Sequence, residues 1–160
     1  MKYFTIPELC CSSSHPSLVV VPVEGSTEYA NLEGLIDFLL DPIRTVLGSP
    51  ITVSSGYRPP RLNRAVGGST TSNHVTGCAA DCHTGRGGKD NLKIIETLLS
   101  LDIPYDECIA ERAVFDDDGV MLFCSWVHIA LRPVGNRSKL LYTEDGKTYH
   151  TLKVGPKLSK

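Results

Sequence analysis

The chain has 160 residues, of which 41% are hydrophobic and 21% are charged, a composition typical of one globular domain with a single core. The formal net charge of -2 gives no overall attraction to nucleic acid or to an anionic membrane surface. Nowhere do about 18 uncharged apolar residues follow one another, and the N-terminus lacks the apolar region of a secretory signal, so we expect neither a membrane span nor signal-directed export.

Six cysteines are spread along the chain: Cys10, Cys11, Cys78, Cys82, Cys108 and Cys124. Because export by a signal peptide is not expected, these side chains are predicted to be thiols in a reducing compartment, and a disulfide framework is disfavoured. We expect a monomer with no nucleic-acid partner.

The first predicted helix covers residues 32–48. Its apolar residues recur at helical spacing: Leu32, Leu35, Ile36, Leu39, Ile43 and Val46. Asn31 is predicted to be the N-cap and Gly48 to end the helix. Pro42 removes one amide donor, so we expect a kink or a break at Asp41.

A strand and a second helix are predicted next. The β-branched stretch ITVSS, residues 51–55, predicts a short strand, and YRPPRLNRAVGG after it predicts a loop with about one helical turn. The second helix is predicted over residues 90–102. Its inward-facing residues would be Leu92, Ile95, Leu98 and Leu99.

The last third of the chain has strand patterns. ECIAERAVF and VMLFCSWVHIALR predict two strands joined by DDDG, in which Gly119 can adopt the positive φ of a hairpin turn. LLYTEDGKTYHTL predicts a final hairpin that turns at EDGK. Residues 136–160 are interpreted as a basic C-terminal extension, packed on or trailing a domain of residues 1–135.

The stretch SNHVTGCAADCH, residues 72–83, concentrates metal-binding side chains. His74 precedes a tight turn at Gly77, and strand alternation sets the direction of Asp81. WVHI places Trp126 and His128 on one face of an apolar strand, where an imidazole is costly to bury unless it is paired or bound to a metal. Two histidines and one carboxylate are the usual protein ligands of a catalytic zinc, which keeps an open position for water.

Other interpretations stay open on spacing alone. His128 can be a hydrogen-bonded core histidine while Asp81 caps a turn, because an H-x6-D pattern is not rare. Cys78 and Cys82 can compete as thiolate ligands of a structural site, although no second cysteine pair stands at zinc-ribbon spacing.

Four motifs in order carry a family resemblance: S-G-Y-R, then N with V-G-G, then S-x-H-x-x-G-x-A-x-D, then W-x-H. With the opening YFTIPEL and the helix end LLDPIRTVLG, they resemble the zinc peptidases that include D-Ala-D-Ala carboxypeptidases, dipeptidases and several phage endolysins, a group like peptidase family M15. The resemblance covers roughly residues 3–131. It implies the hedgehog/DD-peptidase fold, an α+β domain whose antiparallel sheet is flanked by helices and bears a zinc cleft.

The same resemblance implies roles for particular residues. Zinc would be held by His74, Asp81 and His128. Arg58 would hold the scissile carbonyl oxygen or a nearby substrate carboxylate, since a guanidinium stays charged and forms paired hydrogen bonds. The candidate substrate contacts, besides Arg58, are Tyr57, Ser72 and Trp126.

The general base is less obvious. In the carboxypeptidases and dipeptidases an acidic residue stands three positions before the last zinc histidine, and here that position is Ser125, which cannot act as a base. We predict that Glu111 replaces it, because pairing of its strand with WVHI could bring the carboxylate over the metal, and the phage-like branch similarly has an acidic residue on this strand. Asp106 is the second candidate.

The expected function is zinc-dependent hydrolysis of amide bonds in bacterial peptidoglycan stem peptides, by a D-Ala-D-Ala carboxypeptidase or an endolysin-type endopeptidase. Two alternatives stay open: a non-catalytic zinc domain that binds wall peptides or a protein partner, and a phage structural protein. We expect a phage or prophage protein that is made in the cytoplasm and acts on the cell wall after phage-type release.

Overall fold

A computed structural model describes residues 1–85 and 88–153. Its α-helices are α1 (Thr27–Leu35), α2 (Asp41–Leu47), α3 (Pro60–Ala65) and α4 (Gly88–Leu101). Its strands are β1 (Ile51–Ser55), β2 (Ala79–Thr84), β3 (Glu107–Glu111), β4 (Val114–Phe115), β5 (Met121–Phe123), β6 (Trp126–Ala130), β7 (Lys139–Thr143) and β8 (His150–Thr151). Short 3-10 turns lie at Pro7–Leu9, Pro16–Leu18 and Asn73–Thr76.

Six strands form one sheet in the order β1-β2-β6-β3-β7-β8. Every neighbouring pair is antiparallel except β3 and β7, which are parallel. Strands β4 and β5 form a separate two-stranded sheet. The predicted α+β class with a mostly antiparallel sheet is therefore confirmed.

The two faces of the large sheet differ in chemistry. On β6, Val127 and Ile129 are fully buried in the hydrophobic core with residues of α1, α2 and α4. Side chains alternate along a strand, so Trp126 and His128 lie on the opposite face. This opposite face carries the polar residues described in the next section.

The first helix begins earlier than predicted. Its N-cap is Ser26, whose side chain accepts a hydrogen bond from the Tyr29 amide. The prediction of Asn31 as N-cap is wrong, because Asn31 lies inside α1 and donates its side-chain amide to the carbonyl of Thr76. None of the residues Thr27 to Ala30 in the first turn is fully buried, so the apolar periodicity starts after the helix does.

The helix does not break at Asp41, because Leu35, Leu40 and Asp41 all keep right-handed helical backbone angles. A π-helical turn, Ile36–Leu40, separates α1 from α2, and Pro42 lies in the first turn of α2. The π turn changes the hydrogen-bonding pattern just before Pro42, which is where the helix has to accommodate the N–H that proline lacks. Gly48 ends α2 with a φ of 68°, as predicted.

The second predicted helix and the first predicted strand are confirmed. Strand β1 has the predicted bounds, and α4 starts two residues before the predicted helix. Ile95 and Leu98 of α4 are buried, whereas Leu92 and Leu99 are only partly buried against the core. Ile94 is fully buried and was missing from the predicted inward face.

The two long strands predicted on either side of DDDG are wrong in extent, because each one breaks. The first ends at Glu111, where Arg112 turns the chain with a φ of 55°. The second breaks between β5 and β6, where the Asn91 side chain donates to the carbonyls of Cys124 and Ser125. Backbone groups thus change partners inside each stretch, and only β4 and β5 flank the DDDG turn.

The hairpin predicted near the C-terminus is confirmed. Strands β7 and β8 pair antiparallel, and Gly146 in their turn has a φ of 71°. Because β7 also pairs with β3, residues 139–151 add two strands to the large sheet. The end of the predicted basic extension, residues 154–160, lies outside the described residues. Across those residues that are described, helices long and apolar enough to cross a membrane are absent.

Candidate metal centre

Three side chains meet on the polar face of the sheet. Asp81 of β2 and His128 of β6 stand directly opposite each other in the antiparallel register. His74 comes from the 3-10 turn Asn73–Thr76. Asp81 Oδ1 lies 2.9 Å from His128 Nδ1 and 3.2 Å from His74 Nε2. The two histidine nitrogens lie 3.1 Å apart, so the three groups converge on one point.

The orientation of His74 is fixed by the S-G-Y-R segment. His74 Nδ1 lies 2.7 Å from the carbonyl oxygen of Gly56 and donates to it. In the neutral ring the lone pair is then on Nε2, the atom that faces the cluster. Complete burial lowers the pKa of His74, which favours this neutral form. A glycine is required at 56, because a Cβ there would lie 2.1 Å from the Leu9 carbonyl oxygen.

The carboxylate of Asp81 is held ionised. Burial raises the pKa of Asp81, but the close contacts of its carboxylate with the two imidazole rings, above all the one with His128 Nδ1 at 2.9 Å, outweigh that effect and bring the pKa below its usual range. An ionised carboxylate and an unprotonated imidazole nitrogen are both electron-pair donors. Asp81 and His74 therefore offer the ligand forms that a metal ion requires.

The cluster fits a zinc ion. Its three ligand atoms all lie within 4.8 Å of one another. Zinc accepts imidazole nitrogen and carboxylate oxygen at roughly 2.0–2.2 Å, and a catalytic zinc has three protein ligands with one open position. His74, Asp81 and His128 can therefore hold the ion and leave room for a water or substrate.

Arg58 lies beside the cluster with donors to spare. Its Nη2 is 3.6 Å from Asp81 Oδ2, and its side chain is 16% exposed. Its backbone amide donates to the His74 carbonyl, which fixes the residue next to the metal ligand. The buried Nε has no hydrogen-bond partner among the described residues. A buried donor without a partner is costly, so this atom is suited to a substrate oxygen.

Glu111 lies on the same face as the cluster. In the pairing of β3 with β6, Ile109 stands opposite His128 and Glu111 stands opposite Trp126. Glu111 is thus a diagonal neighbour of His128, with its side chain on the same side of the sheet. Burial raises the pKa of Glu111, although the nearby His128 lowers it in part. Within the described part of the chain, no cation lies within salt-bridge distance of its carboxylate.

These residues open into one cavity of about 670 Å³. Its lining includes the three candidate ligands, Arg58 and Glu111. Among the candidate substrate contacts, Ser72 and Trp126 line the cavity. Tyr57 packs against the hydrophobic core and is not among the described lining residues. Ser72 also caps the turn that carries His74, because its hydroxyl accepts from the His74 amide.

A family model of the M15 peptidases, described as Peptidase M15, matches residues 2–103. The match spans more than half of the chain and includes two of the three candidate ligands, His74 and Asp81. This chain belongs to the peptidase M15 family. M15 peptidases are zinc-dependent metallopeptidases, and the ligand cluster of this chain can hold a metal ion. A search of curated proteins gave no match.

Asp106 of this M15 peptidase is fully buried but is occupied by structural contacts. Arg137 binds both carboxylate oxygens at 2.8 and 2.6 Å, and Arg132 lies 3.0 Å away. The Asn73 side chain donates to it at 3.0 Å. Burial raises the pKa of Asp106, but these partners bring it below its ordinary value. Asp106 therefore helps to hold the turn that carries His74, and its carboxylate is already taken up by these partners.

The cysteines of the motif lie away from the ligands. All six cysteines are free thiols, as predicted. Cys82 is fully buried in the core on the other face of β2, and burial raises the pKa of its thiol well above the ordinary value. His83 Nδ1 contacts the carbonyl of Thr84 and is not a member of the cluster.

Sequence reasoning missed several cavity residues of this M15 peptidase. Arg112, Arg137, Gly146 and Tyr149 line the cavity, and the last three follow residue 131, where the resemblance ends. The parallel pairing of β7 with β3 brings this part of the chain to the metal centre. Local sequence pattern carries no signal for such a non-local pairing.

Proposed function

We propose that this M15 peptidase is a zinc-dependent hydrolase of amide bonds in peptidoglycan stem peptides. One observation carries the proposal: the His74, Asp81 and His128 cluster opens into a cavity that also presents a carboxylate and a guanidinium. A metal site, a proton carrier and an oxyanion donor in one cavity are the parts that amide hydrolysis needs.

Each group has a role in this chemistry. When bound, zinc supplies Lewis acidity, which polarises a carbonyl and makes water more acidic. Glu111 accepts a proton from the attacking water and passes it to the nitrogen of the leaving amine. Arg58 donates hydrogen bonds to the carbonyl oxygen as negative charge develops on it. Trp126, opposite Glu111 in the register, offers an apolar surface for the peptide.

Ser125 supports the position of Glu111 without being a base. Its backbone amide donates to the Glu111 carbonyl at 2.8 Å. This bond joins the end of β3 to the start of β6, so the carboxylate and His128 are held on adjoining strands. Glu111 therefore lies on β3, the neighbour of β6, and the usual acid position, Ser125, is hydrogen-bonded to its backbone.

Ser125 also favours a second function, a zinc-binding domain that recognises wall peptides or a protein partner and does not cut them. A binding domain needs no general base, but it does not explain why the Glu111 carboxylate is buried in the cavity. A phage structural protein is a third possibility, and its signature would be incorporation into virions without wall activity. Hydrolysis explains why the metal cluster, Glu111 and Arg58 share one cavity, and neither of the other two functions needs all three.

The proposal extends to the bond and the source. We propose either the terminal D-Ala-D-Ala bond or an internal bond of the stem peptide as the site of cleavage. A phage or prophage origin, with release to the wall at lysis, is also part of the proposal. Its support is the resemblance of YFTIPEL and LLDPIRTVLG to the phage and bacteroidete branch of the group.

The proposal is tested with zinc-loaded protein and purified peptidoglycan fragments. We expect mass spectrometry to show a chelator-sensitive loss of mass that identifies the bond. The Glu111→Gln variant should keep its zinc and lose hydrolysis. Glu24→Gln is the matched control, because Glu24 is exposed and outside the described cavity lining. Zinc-loaded wild type that yields no product contradicts the proposal and favours the binding domain.

A further inference from the structure

The described lining of the cavity includes four arginines, and three of them have carboxylate partners. Arg58 lies 3.6 Å from Asp81, Arg132 lies 3.0 Å from Asp106, and Arg137 pairs with both Asp106 and Glu107. Arg112 differs: among residues 1–85 and 88–153 it has no carboxylate within 4.0 Å. Its guanidinium is exposed and lines the cavity that holds the metal cluster.

The backbone of Arg112 is conformationally strained. Arg112 follows Glu111 directly and has a φ of 55°, in the left-handed region that non-glycine residues seldom adopt. The bonds on both sides keep it in this conformation, because Ser125 N–H donates to the Glu111 carbonyl and Ala113 N–H donates to the Thr143 carbonyl. Strained residues that the surrounding structure holds in place occur at ligand-binding sites.

The side chain of Arg112 rests on the β7–β8 turn. A Cβ at Gly146 would lie 2.9 Å from Arg112 Nη2 and 3.0 Å from its Cζ, so the guanidinium lies directly on this glycine. The turn beneath it is rigid, because Asp145 Oδ1 accepts from the amides of Lys147 and Thr148, each at 2.7 Å. The guanidinium therefore lies between this turn and the cavity.

We propose that Arg112 is a specificity-determining residue that binds a free carboxylate of the peptide substrate. A guanidinium can form two parallel hydrogen bonds to a carboxylate, and the lack of a carboxylate partner for Arg112 among the described residues leaves its donors open. This inference rests on the proposed function, because it names a feature of the substrate for the same cavity. In a stem peptide the carboxylate comes from the C-terminus or from the α-carboxyl of a γ-linked glutamate.

The test uses L-Ala-γ-D-Glu-L-Lys-D-Ala-D-Ala in three forms: unmodified, amidated at the C-terminus, and amidated at the glutamate α-carboxyl. We expect Arg112→Gln to raise KM for the unmodified peptide about 10-fold or more with kcat nearly unchanged, because a charge-assisted hydrogen bond is lost. The effect should vanish for one amidated form, which identifies the carboxylate. Arg112→Lys should restore part of the affinity. Arg64→Gln, an arginine outside the described cavity lining, is the charge-matched control.

A binding measurement separates this inference from the proposed function. Calorimetric titration of zinc-loaded Glu111→Gln protein, with and without Arg112→Gln, gives Kd for each peptide form without turnover. Affinity that depends on both Arg112 and one carboxylate supports the inference even if wild type cuts no peptide. An equal loss of affinity for all three forms, no change on Arg112→Gln, or no binding of any form to the protein that retains Arg112 overturns it.

Discussion

Asp81 and His128 face each other across β2 and β6, and Asp81 Oδ1 lies 2.9 Å from His128 Nδ1. This pairing makes the register of the central strands a condition for the metal centre, since a slip of one residue would turn one of the two side chains to the core face. The fold and the ligand set therefore depend on each other.

Replacing Asp81 with Asn should remove the ionised ligand that both histidines contact. We expect zinc content near zero after dialysis, measured by mass spectrometry of the metal. His83→Ala, on the same strand but outside the cluster, should retain full zinc. Cys78→Ala with Cys82→Ala should also retain it, because both cysteines are buried away from the cluster. Loss of zinc in the cysteine variant would contradict the ligand set.

Gly56→Ala tests the support of His74. The new Cβ would meet the Leu9 carbonyl oxygen at 2.1 Å, so the backbone that accepts from His74 Nδ1 must move. We expect the free energy of unfolding to fall by at least about 2 kcal/mol, together with weaker zinc binding.

The matched control for that change is Gly34→Ala on helix α1. A Cβ at Gly34 meets nothing closer than 3.9 Å, so alanine should be neutral or stabilise by up to about 1 kcal/mol through its helix propensity. Urea unfolding checks both variants. A Gly56→Ala protein as stable as wild type would contradict the account of S-G-Y-R.

The variant Asp106→Asn tests whether Asp106 is structural while Glu111 is the proposed base. Its two arginine partners are 39% and 35% exposed, so we expect a loss of about 2 kcal/mol in stability, below the range for a fully buried pair. Hydrolysis per zinc-loaded molecule should persist in Asp106→Asn and disappear in Glu111→Gln. Single-turnover assays normalised to zinc content measure this, and the reverse order of effects would exchange the two assignments.

The pH dependence of stability should report Glu111. Because burial raises its folded pKa, the folded protein holds this proton more tightly than the unfolded chain does. The resulting stability is complete below the ordinary glutamate pKa and is lost as the pH rises through the raised pKa. In metal-free protein, Glu111→Gln should therefore be more stable than wild type at about pH 7 and nearly equal at about pH 4. Chemical unfolding at both values checks the sign.

The sequence was most informative about features that depend on residues close together in the chain or on a family motif. Short patterns predict the strand of residues 51–55, the turns at Gly119 and Gly146, and the convergence of His74 with Asp81 and His128. These features need only residues near one another in the chain or a family motif in a fixed order.

The rest depended on contacts between distant segments. The stretch VMLFCSWVHIALR does not indicate that it forms two strands. The division depends on Asn91, which is distant in sequence and donates to the carbonyls of Cys124 and Ser125. Likewise, the proposal of Glu111 instead of Asp106 as the base required the β3–β6 pairing and the positions of Arg132 and Arg137. The contact between Arg112 and Gly146 in the cavity wall could not be predicted either, because it depends on the pairing of β3 with β7.

The most direct test of the central claim is mass spectrometry of peptidoglycan fragments after incubation with protein that contains one zinc per chain. We expect a defined loss of mass that disappears with chelator, returns when zinc is restored, and is absent for Glu111→Gln. Unchanged fragments from fully zinc-loaded wild type would contradict the claim that this cavity hydrolyses wall peptides.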